Sequence, residues 1–333
     1  MTVTKPMAGF DTDRSRSDYA RVALRRLVRM LVVPFVTLLL ICAIIAFFQP
    51  RFISLRALTA VATDAAPLLM LVIGSAVVIL IGGIDLSVAT MASFSAVLFV
   101  IISPVTGDAG ILLALGLAAL IGYVQGVIHH RAQIPSFVVS FGTLGVLYGT
   151  AHYITQATAA PLGPSVIIPF LGAKTAGVPH GLIVTVLCAI ALSLTLRFTR
   201  LGRDLFAVGC SERAALVAGV KVGRVKAIAF ALSSFFAAGA GLMFLSQTGY
   251  SSPAMANNYL LPAIVGVVVG GNAISGGVGG IGCVLIGGLI AVMVRLGTVM
   301  LGLNPAFQNI LFGIMVLVSV ALTIDREKIG IIK

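Results

Sequence analysis

The sequence predicts an all-α polytopic membrane protein, and three observations carry that expectation. Hydrophobic residues make up 59% of the 333-residue chain and charged ones only 10%, against the roughly 25% charge of a typical soluble domain. The uncharged run from Ala227 to Val294 is long enough for three crossings at about 20 residues each. The net charge of +12 is concentrated in the N-terminal tail, a central polar segment and the C-terminal tail, which is the positive-inside pattern of a membrane protein and not a nucleic-acid footprint. Backbone groups in lipid must be bonded within their own segment, and no short alternating strands are visible, so the crossings are read as helices.

Taken in order, residues 1–29 mix charge with Gly and Pro and run into the basic amphipathic stretch DYARVALRRLVRM. That stretch is read as lying along the cytoplasmic leaflet against anionic lipid. The apolar run that follows starts at Met30 and ends in FFQP, so it is read as a retained first helix and not as a signal peptide. About ten spans are predicted: 30–48, 65–83, 87–103, 110–129, 136–154, 181–198, 226–246, 259–273, 279–302 and 306–324. They form one transmembrane domain, 30–325, between cytoplasmic tails 1–29 and 326–333. An even number of crossings puts both basic tails, the His129–Arg131 turn and the central segment on one side. The opposite loops then carry only Arg51, Arg56 and Lys174 as basic residues. Parity and charge agree, which predicts a multi-pass membrane protein with both termini inside.

The central segment 199–225 is the long polar interruption of the second half. Within it Ser211 is placed to cap a short helix, with Glu212 in its first turn at the positive end of the helix dipole. Gly219 is placed to end that helix in the left-handed region. Ala214, Ala215 and Ala218 are small enough for another surface to come close.

Three further stretches carry chemistry. In LIGGIDLSVAT, residues 80–90, paired glycines permit a sharp break before Asp85, a carboxylate near membrane depth. Asp85 is either a functional group of a pathway or, with Ser87, a cap of the helix that follows. In GYVQGVIHHRAQIPSFVVSFGTLGVLYG, residues 122–149, Gln125, Phe137 and Thr143 fall among glycines that suit either close helix contact or a pathway wall. In VGGNAISGGVGGIGCVLIGG, residues 269–288, Asn272 sits in a tight glycine-rich connection. No Gly-Lys-Ser/Thr ending follows, so this is not a phosphate loop. The Gly82-Gly83-x-x-x-Ser87 and Gly270-Gly271-x-x-x-Ser275 patterns form a weak internal echo, and both predict discontinuous segments. Arg295 is isolated in the apolar run VMVRLGTVML, where a charge must pair, line water or snorkel outward. Gln308 is one of several amides available to a hydroxylated ligand. The cysteines Cys42, Cys188, Cys210 and Cys283 show no metal-ligand spacing, no clustered His/Cys/carboxylate set marks an enzyme, and no metal is expected.

These blocks, in this order from about Pro50 to Arg326, resemble the permease subunits of bacterial ABC importers of the ribose/xylose/arabinose type. In the central segment the pattern G-R-x-x-x-A-x-G-x-x-E-x-A-A-x-x-x-G-V-x-V is similar to that family's coupling loop, matching Gly202, Arg203, Ala207, Gly209, Glu212, Ala214, Ala215, Gly219 and Val222, with Ser211 where the family commonly has Asn. Ile84-Asp85-Leu86-Ser87 resembles the I-D-L-S-V-G signature, with Ala89 in place of its Gly. In the 122–149 block Gln125 replaces Asn, Ser140 replaces Thr and Phe141 replaces Leu, where a helix would face the pathway. The resemblance implies a non-catalytic subunit that binds no cofactor itself, with ATP and Mg on a partner. It further implies cytoplasmic ATPase subunits docked on 202–222, a periplasmic sugar-binding protein, a second permease copy (identical or not) and a monosaccharide cargo. Asp85, Ser87, Gln125, Phe137, Thr143, Asn272, Arg295 and Gln308 are the residues expected along its pathway. A branched-chain amino-acid or nucleoside importer is the same-class alternative. An ion-coupled secondary transporter is the alternative from another class, and it would call for a coupling carboxylate deep in a span.

Overall fold

The computed structural model describes residues 32–304 and 306–323; the expectations for the two tails fall outside the described residues. The chain is built from helices. In chain order they are α1 (Val32–Phe48), α2 (Leu55–Leu80), α3 (Val88–Thr106), α4 (Gly110–Arg131), α5 (Ser136–Thr155), α6 (Ile167–Gly172), α7 (His180–Phe198), α8 (Arg200–Cys210), α9 (Glu212–Val217), α10 (Val222–Thr248), α11 (Leu260–Val269), α12 (Ile281–Met300) and α13 (Ala306–Thr323). Each predicted span has a helix at its place. Among the described residues six helical runs are long and apolar enough to cross a membrane, one of them the α3–α4 pair, which folds back on itself at Gly107–Ala109. Two-residue strands make two small separate sheets: β1 (Ala160–Pro161) pairs antiparallel with β4 (Tyr250–Ser251), and β2 (Lys174–Thr175) with β3 (Val178–Pro179). These strands and α6 lie at one end of the bundle. The segment 199–221 lies at the other, called here the polar end.

Two helices form the centre. α2 is buried continuously from Ala65 to Leu80, and α10 packs against α4, α2 and α3. α4 approaches α10 at Gly122 and Gly126, where a side chain would collide with the α10 backbone at Phe230 and Ala227. This is the small-residue contact that membrane helices use in place of hydrophobic collapse. α11 packs on α12 and α2, whereas α5 and α7 present most of their surface outward.

Proline positions show how the bundle keeps its backbone bonded. Pro67 inside α2 has no N–H for the Thr63 carbonyl, and that carbonyl instead accepts from Gln247 Nε2 of α10 at 2.7 Å. Pro104 inside α3 frees the Val100 carbonyl, which accepts from Ser103 Oγ at 3.2 Å. Both repairs are what a helix needs where water is absent.

The structure departs from the sequence reading in three places. α2 begins at Leu55, ten residues before the expected span, capped by Ser54 Oγ, which accepts from Ala57 N at 3.2 Å. The central segment holds an additional helix, α8, capped by Thr199 Oγ1, which accepts from Gly202 N at 3.3 Å. The expected 259–273 span is a helix of only ten residues, α11, about 15 Å long and so half of a hydrocarbon core of about 30 Å.

Candidate functional site

At the polar end, α8 and α9 form a bracket across the bundle. α9 is defined as its capping residues predict: Ser211 Oγ accepts from Ala214 N at 3.3 Å. At the other end Gly219 has φ +82°, its N–H reaches Leu216 O at 3.0 Å, and Val220 N–H reaches Ala215 O at 3.0 Å. That pair of bonds is a Schellman motif. Ala215 packs inward, while Arg203, Ala214, Leu216 and Val217 are exposed, Val217 at 90%. Glu212 does not stand free. Its Oε2 accepts from Lys226 Nζ of α10 at 2.7 Å, tying α9 to the bundle. Gly202 is buried where a Cβ would meet the Leu196 carbonyl.

Gly209 sits where three segments converge. A Cβ there would collide with the Leu80 carbonyl at the end of α2 and with Gly277 N. Gly277 N–H donates to Leu80 O at 2.8 Å. Gly82 (φ +75°) lies against the Ser275 carbonyl, so the two glycine breaks noted as an internal echo touch each other. Asn272 belongs to this connection: its Oδ1 accepts from Gly280 N at 3.0 Å, which closes the loop between α11 and α12.

Just inside this junction lies a buried polar cluster. Asp85, 4% exposed, accepts four hydrogen bonds. Ser87 N (2.9 Å), Ser87 Oγ (2.6 Å) and Gln125 Nε2 (3.3 Å) donate to Oδ1, and Ser233 Oγ of α10 (2.8 Å) donates to Oδ2. These four donors occupy acceptor sites on both carboxylate oxygens, so the buried side chain has partners without a basic residue beside it. Asp85, Ser87 and Gln125 are therefore together, but they face one another in the bundle interior. Ser233 is the member that sequence reasoning missed, because a serine in an apolar helix has no distinguishing neighbours. Gln125 and Ser140 turn inward, where the carboxylate and the unwound backbone need partners, while Phe141 of the same block is exposed at 65%.

The remaining residues expected on the pathway lie elsewhere. Phe137 and Thr143 are on α5, Phe137 exposed and Thr143 bonding its own helix at Val139 O. Arg295 lies in the half of the bundle away from the polar end. Its Nε is 3.3 Å from Asp64 Oδ2 of α2, and its guanidinium carbon is 3.9 Å from the centroid of Tyr259, whose hydroxyl donates to Asp64 Oδ1 at 3.4 Å. Gln308 Nε2 donates to the Arg295 carbonyl at 3.4 Å. Arg295 is thus paired, and Asp64 is the partner that the sequence hid by its place in an expected loop.

Residues 57–320 match the family model described as branched-chain amino acid transport system / permease component. The chain belongs to this permease family. It is 32% identical over 303 residues to the ribose import permease protein RbsC of Bacillus subtilis, covering 89% of this chain and 92% of that one. It is 33% identical over 274 residues to the probable ABC transporter permease protein YphD of Escherichia coli, covering 81% and 82%. To the galactose/methyl galactoside import permease protein MglC of Escherichia coli it is 29% identical, covering 86% and 92%. No solved structure matches it.

Proposed function

We propose that this permease is the transmembrane subunit of an ATP-driven importer that moves a neutral monosaccharide, a pentose or hexose, across the bacterial inner membrane. The observation that carries the reading is the bracket at the polar end. α9 exposes Leu216 and Val217 while Glu212 and Gly209 bind its frame to α10, α2 and the glycine connection. A rigid helix with an apolar tip outside the bundle is suited to a groove on a separate ATPase subunit, which holds ATP and Mg. Relatives named as ribose and galactose permeases support the sugar over the amino-acid reading.

The internal partners of both residues support a neutral cargo. Asp85 is bonded to Ser87, Gln125 and Ser233, and Arg295 to Asp64, so neither is presented as a coupling group for an ion gradient. The ten apolar helices α1–α5, α7 and α10–α13 are read as ten crossings with both termini in the cytoplasm. A periplasmic sugar-binding protein delivers the cargo at the α6 end. A second permease copy completes the pathway against α5, whose Gly142, Gly145 and Gly149 have nothing packed on them.

The test is uptake of labelled pentoses, hexoses, leucine and a nucleoside into proteoliposomes carrying this chain, its ATPase and its binding protein. One sugar should be taken up only with all three components and ATP. Val217→Arg, which changes the exposed tip without touching the Glu212–Lys226 pair, should cut uptake at least tenfold. Uptake without the ATPase, or driven by an ion gradient, would move the protein to the secondary transporters.

A further inference from the structure

The segment between α2 and α3 is unwound, and its backbone is held from two opposite sides. On one side are hydroxyls of α5: Ser136 Oγ accepts from Ile84 N at 3.0 Å and Ser140 Oγ accepts from Leu86 N at 3.0 Å. The Ser140 hydroxyl is also 3.3 Å from the Ile84 carbonyl, to which it can donate. On the other side are the glycine connection and the bracket: the Leu80 carbonyl takes Gly277 N–H, Gly82 rests on Ser275 and Gly276, and Gly209 of α8 abuts both Leu80 and Gly277. Asp85 anchors the middle of the segment to α4 and α10.

The serine contacts matter because α5 has little else at this end. From Ser136 to Val146 its one buried residue is Ser140. Within its own bundle this end of α5 has little packing to hold it, and hydrogen bonds to an unwound backbone give it a direction to follow.

We propose that residues 81–87 are the mechanical link between the bracket and α5, with Ser136 and Ser140 as its positioning residues. The inference rests on the importer reading and adds to it the route of coupling. Displacement of α8 shifts Gly209 against Leu80 and Gly277, the unwound segment turns about its Asp85 anchor, and the two hydroxyls draw the end of α5 with it. A merely structural role would have the serines satisfy the Ile84 and Leu86 amides and nothing more.

The deciding measurement is sugar uptake per ATP hydrolysed, taken on the same proteoliposomes. For the Ser136→Ala/Ser140→Ala double variant, uptake per ATP should fall at least fivefold while binding-protein-stimulated hydrolysis stays within twofold of wild type. Ser136→Thr, which keeps the hydroxyl, should hold the wild-type ratio. If the double variant does not assemble, Ser136→Ala alone, at a half-exposed position, should still lower the ratio about twofold. An unchanged ratio, including one in which both rates fall together, overturns the proposal. Wild-type protein that shows no ATP-driven uptake fails the importer reading instead, and is told apart by that control.

Discussion

Arg295 and Asp64 show what a single residue can and cannot announce. A lone arginine in VMVRLGTVML states its need for a partner, since an unpaired charge deep in a bilayer costs about 3 kcal/mol or more. The partner is not announced, because Asp64 falls ten residues beyond Ser54, in a stretch whose helical start depends on that cap. With the pair at 3.3 Å and the guanidinium over Tyr259, removing one charge strands the other. Asp64→Asn and Arg295→Met should each lower stability by about 1–3 kcal/mol, less than the full penalty of a wholly enclosed pair. The double variant should recover part of that loss, as a coupling energy between neighbours requires. Thermal unfolding of the four detergent-solubilised proteins checks it; additive losses would show that the pair does not interact. Asp85 makes the complementary case. Its four donors suit a carboxylate, so Asp85→Asn should cost about 1.5–3 kcal/mol by the same measurement. A neutral outcome would mean that the four hydrogen bonds add nothing to stability that an amide cannot supply.

At the scale of elements, capping chemistry was legible and packing was not. Ser211 and Gly219 mark both ends of α9 before any coordinates, because a side-chain acceptor and a left-handed residue are local requirements. α8 went unseen, although Leu201, Leu205 and Val208 follow the helical period; their face is partly or fully buried against the bundle, and the polar residues between them read as a loop. α11 is short for a reason beyond its own sequence: the chain must leave the helix at Gly270 and Gly271 to meet Gly82 and Gly209. Two glycines of the bracket, Gly209 and Gly219, should therefore answer differently to the same change. Gly219→Ala has open space around the new methyl and suffers only from φ +82°, a loss of about 1–2 kcal/mol. Gly209→Ala drives a methyl into the Leu80 carbonyl and Gly277, so it should be the more damaging, moving α8 and lowering ATP-driven uptake as well as the melting temperature. Equal effects of the two would deny the junction its close fit.

For the molecule as a whole, the sequence told depth better than direction. Apolar runs mark where a helix can lie in lipid, yet the eight residues expected on one pathway lie in four places, because hydropathy does not say which neighbour a helix face meets. The order of charges along the chain is more informative, and it predicts sidedness. Between the β2–β3 turn and α9 there is one apolar helix, α7, of 19 residues, about 28 Å long and close to the thickness of a hydrocarbon core. Lys174 and Val217, both exposed, should then lie on opposite faces of the membrane. In a background where Cys42, Cys188, Cys210 and Cys283 are replaced by Ala, a membrane-impermeant maleimide should label Lys174→Cys in spheroplasts. Val217→Cys should react only after the membrane is opened. The reverse order would put α9 outside, where no ATPase could reach it, and would remove the basis for coupling through the bracket. Labelling of both in sealed spheroplasts would mean that α7 does not cross, and the count of crossings would lose its parity.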